Sequence, residues 1–397
     1  MEPVPYRRLL GLPGVPAQAV LGFLAQLTQQ VAPVGMVLVV QGSSGSLALA
    51  GVTAAAFSVG AGMGRPVQGR LMDRRGSGPV LAATALLHVA ALVALVVGAG
   101  RWPSWIVVAL AWMAGAGLPP ISVSMRIEWG HRMAGEGRTA AYSLVYLVQD
   151  LAMLLGPLAF GTLIAIMPTS GGTAVSGAPL GLVLVAVAAG AGTLGFARAL
   201  RAGSGVPSRE RGRVFADPRM PVLLAVVLLL GGTIGALQVG VPALAAAREV
   251  PAATGPLVAA LSLGGIAGAA AYGARSWRSG AGARIVGLML VLGVLLAPLA
   301  VVEAWPLFWA VLFGGGLVLN PALTTSSLLV DELAPAAQAE AFGWISTAIG
   351  VGGALGSGAA GVIGERLGAS APFLAASGFA VVGAGLAVVL LRPSRAV

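Results

Sequence analysis

One carboxylate lies deep in an apolar run of this chain. Asp150 falls about ten residues into the stretch 140–166, roughly 15 Å from its start at helical rise. A charged carboxylate in hydrocarbon costs several kcal/mol unless it is protonated, paired or wetted. Burial brings its two protonation states closer in energy, so it can take up a proton on one side and release it on the other. The alternative is a structural hydrogen bond across helices, with Gln149 or Tyr146 as partner. Gly156, Pro157 and Gly161 follow in the same run, two sites of close packing around a kink. A second chemical unit is the charged run Gly69-Arg70-Leu71-Met72-Asp73-Arg74-Arg75-Gly76 between two apolar spans. It reads as a short loop in which Gly69 and Gly76 allow close packing and a tight turn, while Asp73 and Arg74 offer charge contacts.

The other polar side chains within apolar runs are mostly uncharged. Gln26, Gln29, Gln30, Gln149, Gln238 and Asn320, with Tyr146 and Trp344, could line a cavity and hold a small molecule by hydrogen bonds. Equally, such groups tie helices together at roughly 1 kcal/mol each. His88, in the third run, reads as structural. The chain has no Cys and no Lys. That excludes thiolate metal sites and a phosphate-binding Gly-x-x-x-x-Gly-Lys loop. No His/Glu pair has zinc-helix spacing, and no serine elbow has an acid and a base in reach. Enzymatic chemistry, a cofactor and a metal are not expected.

Helices across a membrane must position these groups. Of 397 residues, 57% are hydrophobic and 9% charged. Mean hydropathy is +0.93. Runs of about 20 apolar residues, the length that crosses a hydrocarbon core, recur from end to end. They fall near 15–40, 47–66, 79–100, 104–125, 140–166, 179–200, 220–246, 253–274, 283–301, 304–330, 338–363 and 370–391. The sequence therefore predicts an all-α integral membrane protein of twelve transmembrane helices in two pseudo-symmetric six-helix halves. The abundance of Gly (60) and Pro (25) suits membrane helices better than soluble ones.

The net charge of +10 comes from arginines placed between spans, so it speaks of topology and not of nucleic acid. With twelve spans and an inside N-terminus, all but Arg101, Arg248 and Arg366 of the 23 arginines fall on one side. That asymmetry puts both termini in the cytoplasm. The apolar run after Arg7 and Arg8 is a full span without a cleavage site before it, so no removable signal peptide is expected.

The chain also repeats itself. A shift of 204 brings Ala55, Ala56, Ser58, Gly60, Gly64 and Gly69 onto Ala259, Ala260, Ser262, Gly264, Gly268 and Gly273. A shift of 200 brings Ala141, Leu155, Gly156, Ala159 and Gly161 onto Ala341, Leu355, Gly356, Ala359 and Gly361, with Gly350 in place of Asp150 and Ser357 in place of Pro157. Gln29/Pro33 and Gln238/Pro242 share a third pattern. The expected organisation is a first half over 1–200, a cytoplasmic linker over 201–219 and a second half over 220–397. The G-x-x-x-G pairs Gly60/Gly64 and Gly264/Gly268 predict helices touching backbone to backbone, either as static packing or as a seam that slides between halves.

The run Gly69 to Gly76 resembles the signature loop between helices 2 and 3 of the major facilitator superfamily. Gly156-Pro157 with Gly161 looks like the fifth-helix motif of its drug:proton antiporters. Spans 1 to 3 and Glu340-Ala341-Phe342 resemble the actinobacterial multidrug-efflux-like branch. The resemblance implies two parallel halves with a site between them near the midplane. It implies that Asp73 and Arg74 lock the cytoplasmic side, and that Asp150 couples substrate to protons. One departure stands out: the fourth helix often carries Arg four residues before Gly, whereas Ala111 precedes Gly115 and Met113 precedes Gly117. Arg126, expected at the cytoplasmic boundary, is the nearest substitute.

The implied function is proton-coupled efflux of a small hydrophobic or cationic compound by a monomer in a bacterial inner membrane. Its partners would be substrate, protons and the lipid bilayer. A proton-coupled or facilitative importer of a small solute is the rival within transport. A non-transporting sensor or assembly factor on a carrier fold is the rival outside it.

Overall fold

In hydrocarbon a backbone has no water to bond, so each apolar run closes its own hydrogen bonds as a helix. The computed structural model describes residues 5–166, 177–200 and 212–391. Its helices are α1 (Pro5–Leu10), α2 (Val15–Ser44), α3 (Leu47–Arg75), α4 (Ser77–Gly98), α5 (Ser104–Ala116), α6 (Ile121–Arg132), α7 (Glu136–Ile166), α8 (Ala178–Ala199), α9 (Met220–Ala247), α10 (Thr254–Gly273), α11 (Ala281–Leu296), α12 (Trp305–Leu333), α13 (Gln338–Leu367) and α14 (Pro372–Ala387). No strand occurs among the described residues. Counting α5 with α6 as one span, twelve helices are long and apolar enough to cross a bilayer, as the sequence predicts. Part of the expected linker, 201–211, lies outside the described residues. Near its end Asp217 accepts the Arg219 backbone N–H at 2.8 Å and the Arg219 guanidinium at 2.8 Å, fixing the approach to α9. The Arg219 guanidinium holds the Asp217 carboxyl below the usual carboxylate range.

Two compact units emerge from the packing. One contains Leu10–Glu128, 148–166 and 177–200; the other contains 5–9, Trp129–Leu147 and 212–391. The segment Trp129–Leu147 thus precedes the linker in sequence but packs with the residues after it.

Glycines set the closest helix contacts inside each unit. In the first, a Cβ on Gly60 would strike the Trp112 carbonyl, and one on Gly115 would strike that of Phe57. One on Gly64 would lie 2.7 Å from the Ala116 carbonyl. In the second unit the same exchange recurs: Gly264 meets the Phe313 carbonyl, Gly316 that of Leu261, and Gly268 that of Leu317. The sequence repeat is therefore a repeated contact, α3 on α5 and α10 on α12. Both seams lie within a unit, so the static-packing reading holds and the sliding seam is set aside. The α9–α13 pair is built alike, with Gly352 on the Leu228 carbonyl and Gly356 on that of Gly232.

Two local features correct the sequence reading. The charged run is no loop: α3 continues through Arg75, and Gly76 alone separates it from α4. Gly76 adopts φ 82° and ψ 163°, open to glycine and strained for any L side chain. Its N–H still bonds the Met72 carbonyl, so the turn costs no hydrogen bond there.

The fourth span is broken where Pro119 and Pro120 follow Gly117-Leu118. Proline has no N–H, so the Ala116 carbonyl loses its partner four residues on. Gln68 of α3 fills the place, donating to Ala116 at 2.7 Å and to Leu118 at 3.2 Å. The Leu118 N–H turns to Gly115, which frees the Ala114 carbonyl, and His88 Nδ1 meets that at 2.7 Å. Facing a carbonyl, Nδ1 is the protonated nitrogen. The structural reading of His88 is therefore borne out.

Two outcomes follow. Gly264→Val forces α10 off α12 and destabilises the protein by about 2 kcal/mol, the usual cost of overpacking, seen as a lower apparent Tm in detergent. Gln68→Leu orphans a buried carbonyl at a cost of about 1 kcal/mol, lowering the same midpoint less.

Candidate functional site

Helix α7 starts at Glu136, not near 140. Asp150 is therefore about 21 Å along it, deeper than the sequence suggested and near mid-span. Its side chain is half-buried. The neighbouring Gln149 accepts a hydrogen bond from Arg126 Nη2 at 3.4 Å. Arg126 is 4% exposed, within a stretch of α6 where Ile121 through Gly130 are all buried. The helical fourth span runs on to Arg132, so Arg126 lies about two turns before its end and is buried against protein. Glu128 lies buried on the same helix. The first unit so combines a carboxylate, an amide and a guanidinium within its helices, a set that can hold either protonation state of an acid without stranding a charge.

The amides of α2 stand near this set. Gln26 is buried and donates to the Gly22 carbonyl at 3.2 Å and to Met125 Sδ of α6 at 3.8 Å. Gln29 and Gln30 are half-buried. The fifth-helix motif packs loosely here. A Cβ on Gly156 would meet the Gln30 side chain at an ordinary 3.5 Å, while one on Gly161 would meet nothing within 4 Å. Helix α7 continues through Pro157. Of the charged run, Gly69 and Gly76 are buried, Asp73 half-buried and Arg74 exposed.

The second unit holds a denser polar cluster that sequence reasoning missed. Asp331, at the end of α12, accepts the Tyr142 hydroxyl at 2.7 and 2.8 Å to its two oxygens. Gln338 Nε2 donates to it at 2.9 Å, and Arg138 reaches it at 3.4 Å. His131 meets Gln338 at 3.1 Å. At the next residue of α7, Ser143 meets Thr324 at 3.4 Å, and one turn beyond Tyr142, Tyr146 donates to the Leu323 carbonyl or Ser327 at 3.1 Å. Beside them the Tyr6 hydroxyl donates to the Ala269 carbonyl at 2.6 Å, and burial pushes its pKa up to about 12. The first turns of α7 are thereby bonded to α12 at three levels. An acid just past the last apolar residue of a span was the available signal; ending that span at 330 hid it.

The expected cavity residues divide between the units. Gln26, Gln29, Gln30, Gln149 and Asp150 belong to the first; Tyr146, Gln238, Asn320 and Trp344 belong to the second. Asn320 is buried and Gln238 exposed. Trp344 lies edge-on to Phe215 at 5.7 Å between centroids, with its indole nitrogen buried and without a partner among the described residues. Tyr146 is spoken for by α12.

Comparison with known proteins places this architecture. The family profile of the Major Facilitator Superfamily matches residues 19–339. A comparison with curated proteins finds no match. Among solved structures, the major facilitator transporter FucP in its outward conformation superposes with a TM-score of 0.74 at 13% identity, covering 96% of this chain and 98% of that one. A bacterial homologue of the iron transporter ferroportin gives 0.71 at 15%, covering 94% and 97%. The human organic anion transporter MFSD10 gives 0.71 at 17%, covering 96% and 99%. With its repeated helix contacts and twelve apolar spans, the chain belongs to the major facilitator superfamily: it is a multi-pass membrane transporter and not an enzyme.

Proposed function

We propose that the chain exports a small hydrophobic or cationic compound in exchange for protons. The carrying observation is Asp150, an acid near mid-span in α7 whose neighbour Gln149 is held by the buried Arg126. In this reading Asp150 binds a proton or the cationic substrate, never both, and Arg126 takes the place of the arginine expected earlier in the fourth span. The uncharged amides around Asp150 suit a neutral or cationic apolar cargo better than a charged nutrient. The arginine asymmetry supports both termini inside a bacterial cytoplasmic membrane. The repeated glycine contacts support halves over 1–200 and 220–397, which would rock about the site in alternating access.

The cluster around Asp331 would serve as the cytoplasmic latch, with Asp73 and Arg74 as a second one. Inward opening must break the hydroxyl–carboxylate bonds from Tyr142 and the bonds of Ser143 and Tyr146 to α12. A latch of a few charge-assisted bonds can be opened by substrate or proton binding, whose coupling energies are of order 1–3 kcal/mol.

In proteoliposomes with a pH-sensitive dye, lipophilic cations should collapse an imposed pH gradient through the native chain and not through Asp150→Asn. Tracer transport that is unchanged in Asp150→Asn, and still moves protons, would sink the assignment. Tyr142→Phe should raise cytoplasmic access to the centre roughly tenfold, since it removes a buried hydrogen bond to a charged group. The native chain has no Cys, so a single cysteine at Gln30, labelled from the cytoplasmic side of inverted vesicles, reads this directly. Unaltered labelling would remove Tyr142 from the gate.

A further inference from the structure

The second unit carries a cavity that shares Arg138 and Asp331 with the proposed latch and has further walls the transport reading does not use. Its volume is about 300 Å³, and its walls include Arg138, Thr139, Trp277, Arg284, Asp331 and Glu332. It joins the turn before α7, the end of α12 and the segment between α10 and α11. That segment is the degenerate copy of the charged run, Tyr272-Gly273-Ala274-Arg275-Ser276-Trp277-Arg278, which kept its arginines and lost its acid.

The segment is folded into a cationic and aromatic platform. Trp277 donates its indole N–H to the Tyr272 carbonyl at 3.0 Å and packs on the Tyr272 ring at 4.6 Å between centroids. The Arg275 guanidinium lies 5.4 Å from the Trp277 ring centre, and that of Arg284 lies 5.8 Å from it. Arg284 Nη1 donates to the Tyr272 hydroxyl at 2.8 Å, but its Nε is buried with no partner among the described residues. With one N–H unsatisfied and the rest of the group lining the cavity, the Arg284 guanidinium retains hydrogen-bonding capacity for an anion.

The acids of the cavity are not equivalent. Asp331 is already saturated by Tyr142, Gln338 and Arg138. Glu332 is exposed and forms no salt bridge within 4 Å among the described residues; it lies in the field of the Arg219 and Arg284 charges and its oxygens remain open to a hydrogen bond. The cavity thus presents guanidinium N–H groups to an anion and one carboxylate to a donor beside it. Arg275 and Arg278 stand exposed at its edge, next to a half-buried tryptophan of the kind that sits at a membrane–water boundary.

We propose that this cavity binds a phosphodiester headgroup carrying hydroxyl groups, as in an anionic glycerophospholipid. The phosphate takes the cavity-facing edges of the Arg284 and Arg138 guanidinium groups; a headgroup hydroxyl donates to Glu332; the glycerol backbone passes over Trp277. Basic pockets at the cytoplasmic end of membrane helices bind headgroups in this way. Because Arg138 also touches Asp331, an occupied cavity draws on a member of the cytoplasmic latch. The site rests on the proposed topology for its cytoplasmic location, but its chemistry is independent of proton coupling.

The test is lipid retention by the full chain in native mass spectrometry, after exchange into equal amounts of phosphatidylglycerol and phosphatidylcholine. The expected result is preferential retention of phosphatidylglycerol, about fivefold weaker in Arg284→Gln and in Arg138→Gln, as for loss of one basic contact. Arg101→Gln, assigned to the other face, should leave it unchanged. If Arg284→Gln does not fold, Arg284→Lys keeps the charge, removes Nε and should show the same loss. Glycerol 3-phosphate that protects lipid-free protein from heat as well as the lipid does would keep the phosphoester chemistry and assign a soluble source. Equal retention of both lipids, unaffected by the variants, overturns the proposal. Asp150→Asn should retain the lipid fully, so a failure of antiport and a failure of this site are told apart.

Discussion

Every polar backbone group in this chain must find its partner inside the protein, because hydrocarbon offers none. That constraint produces the twelve helices, and it also governs the places where helices stop. At Gly117-Leu118-Pro119-Pro120 the fourth span gives up its regular ladder, and two freed carbonyls appear in the middle of the protein. Gln68 and His88 are there to meet them. The polar side chains that first suggest a site are in part the repair of a broken helix. At Gly76 the same constraint is met differently, by a residue that can turn through positive φ while its N–H remains bonded.

Close packing is the second consequence. Without a hydrophobic drive between helices in lipid, association depends on contact and on small residues. The chain places glycine where one helix must touch the carbonyl of another, and does so at matching positions in both repeats. These seams are rigid because any side chain would collide with backbone. Rigid pairs α3–α5, α10–α12 and α9–α13 suit a machine whose units move as bodies. The loose surroundings of Gly156 and Gly161 on α7 contrast with them. Helix α7 is also where Asp150 sits and where the bonds to α12 are made, so its two ends serve different ends of the same proposed cycle.

The polar inventory sorts by partner. Arg126 with Gln149 and the acid beside it form a set inside a span, where a lone charge would be prohibitive. Tyr142, Arg138 and Gln338 share one buried carboxylate at the end of a span, where each hydrogen bond compensates its burial. Arg284 and Glu332 are left incompletely matched, and the inferred headgroup site occupies that mismatch. Burial and partner, and not residue type, separate the three roles.

The sequence by itself determined the helical class, the twelve spans and the repeat, and it singled out Asp150 while missing the buried Glu128, because hydropathy, glycine spacing and charge placement are properties of the chain read along its length. It also named the charged run and the proline pair. It did not show that the run is helix up to Gly76, that Arg126 is buried within the protein, or that Asp331 is a hub. Tyr142 and Asp331 are far apart in sequence and neither has a periodic or motif signature. Only tertiary packing brings a hydroxyl on α7 to a carboxylate on α12, and only packing decides which of many similar amides repairs backbone and which stays available to a substrate. Linear pattern encodes what each segment does against solvent; which segments meet is decided by the fit of their surfaces.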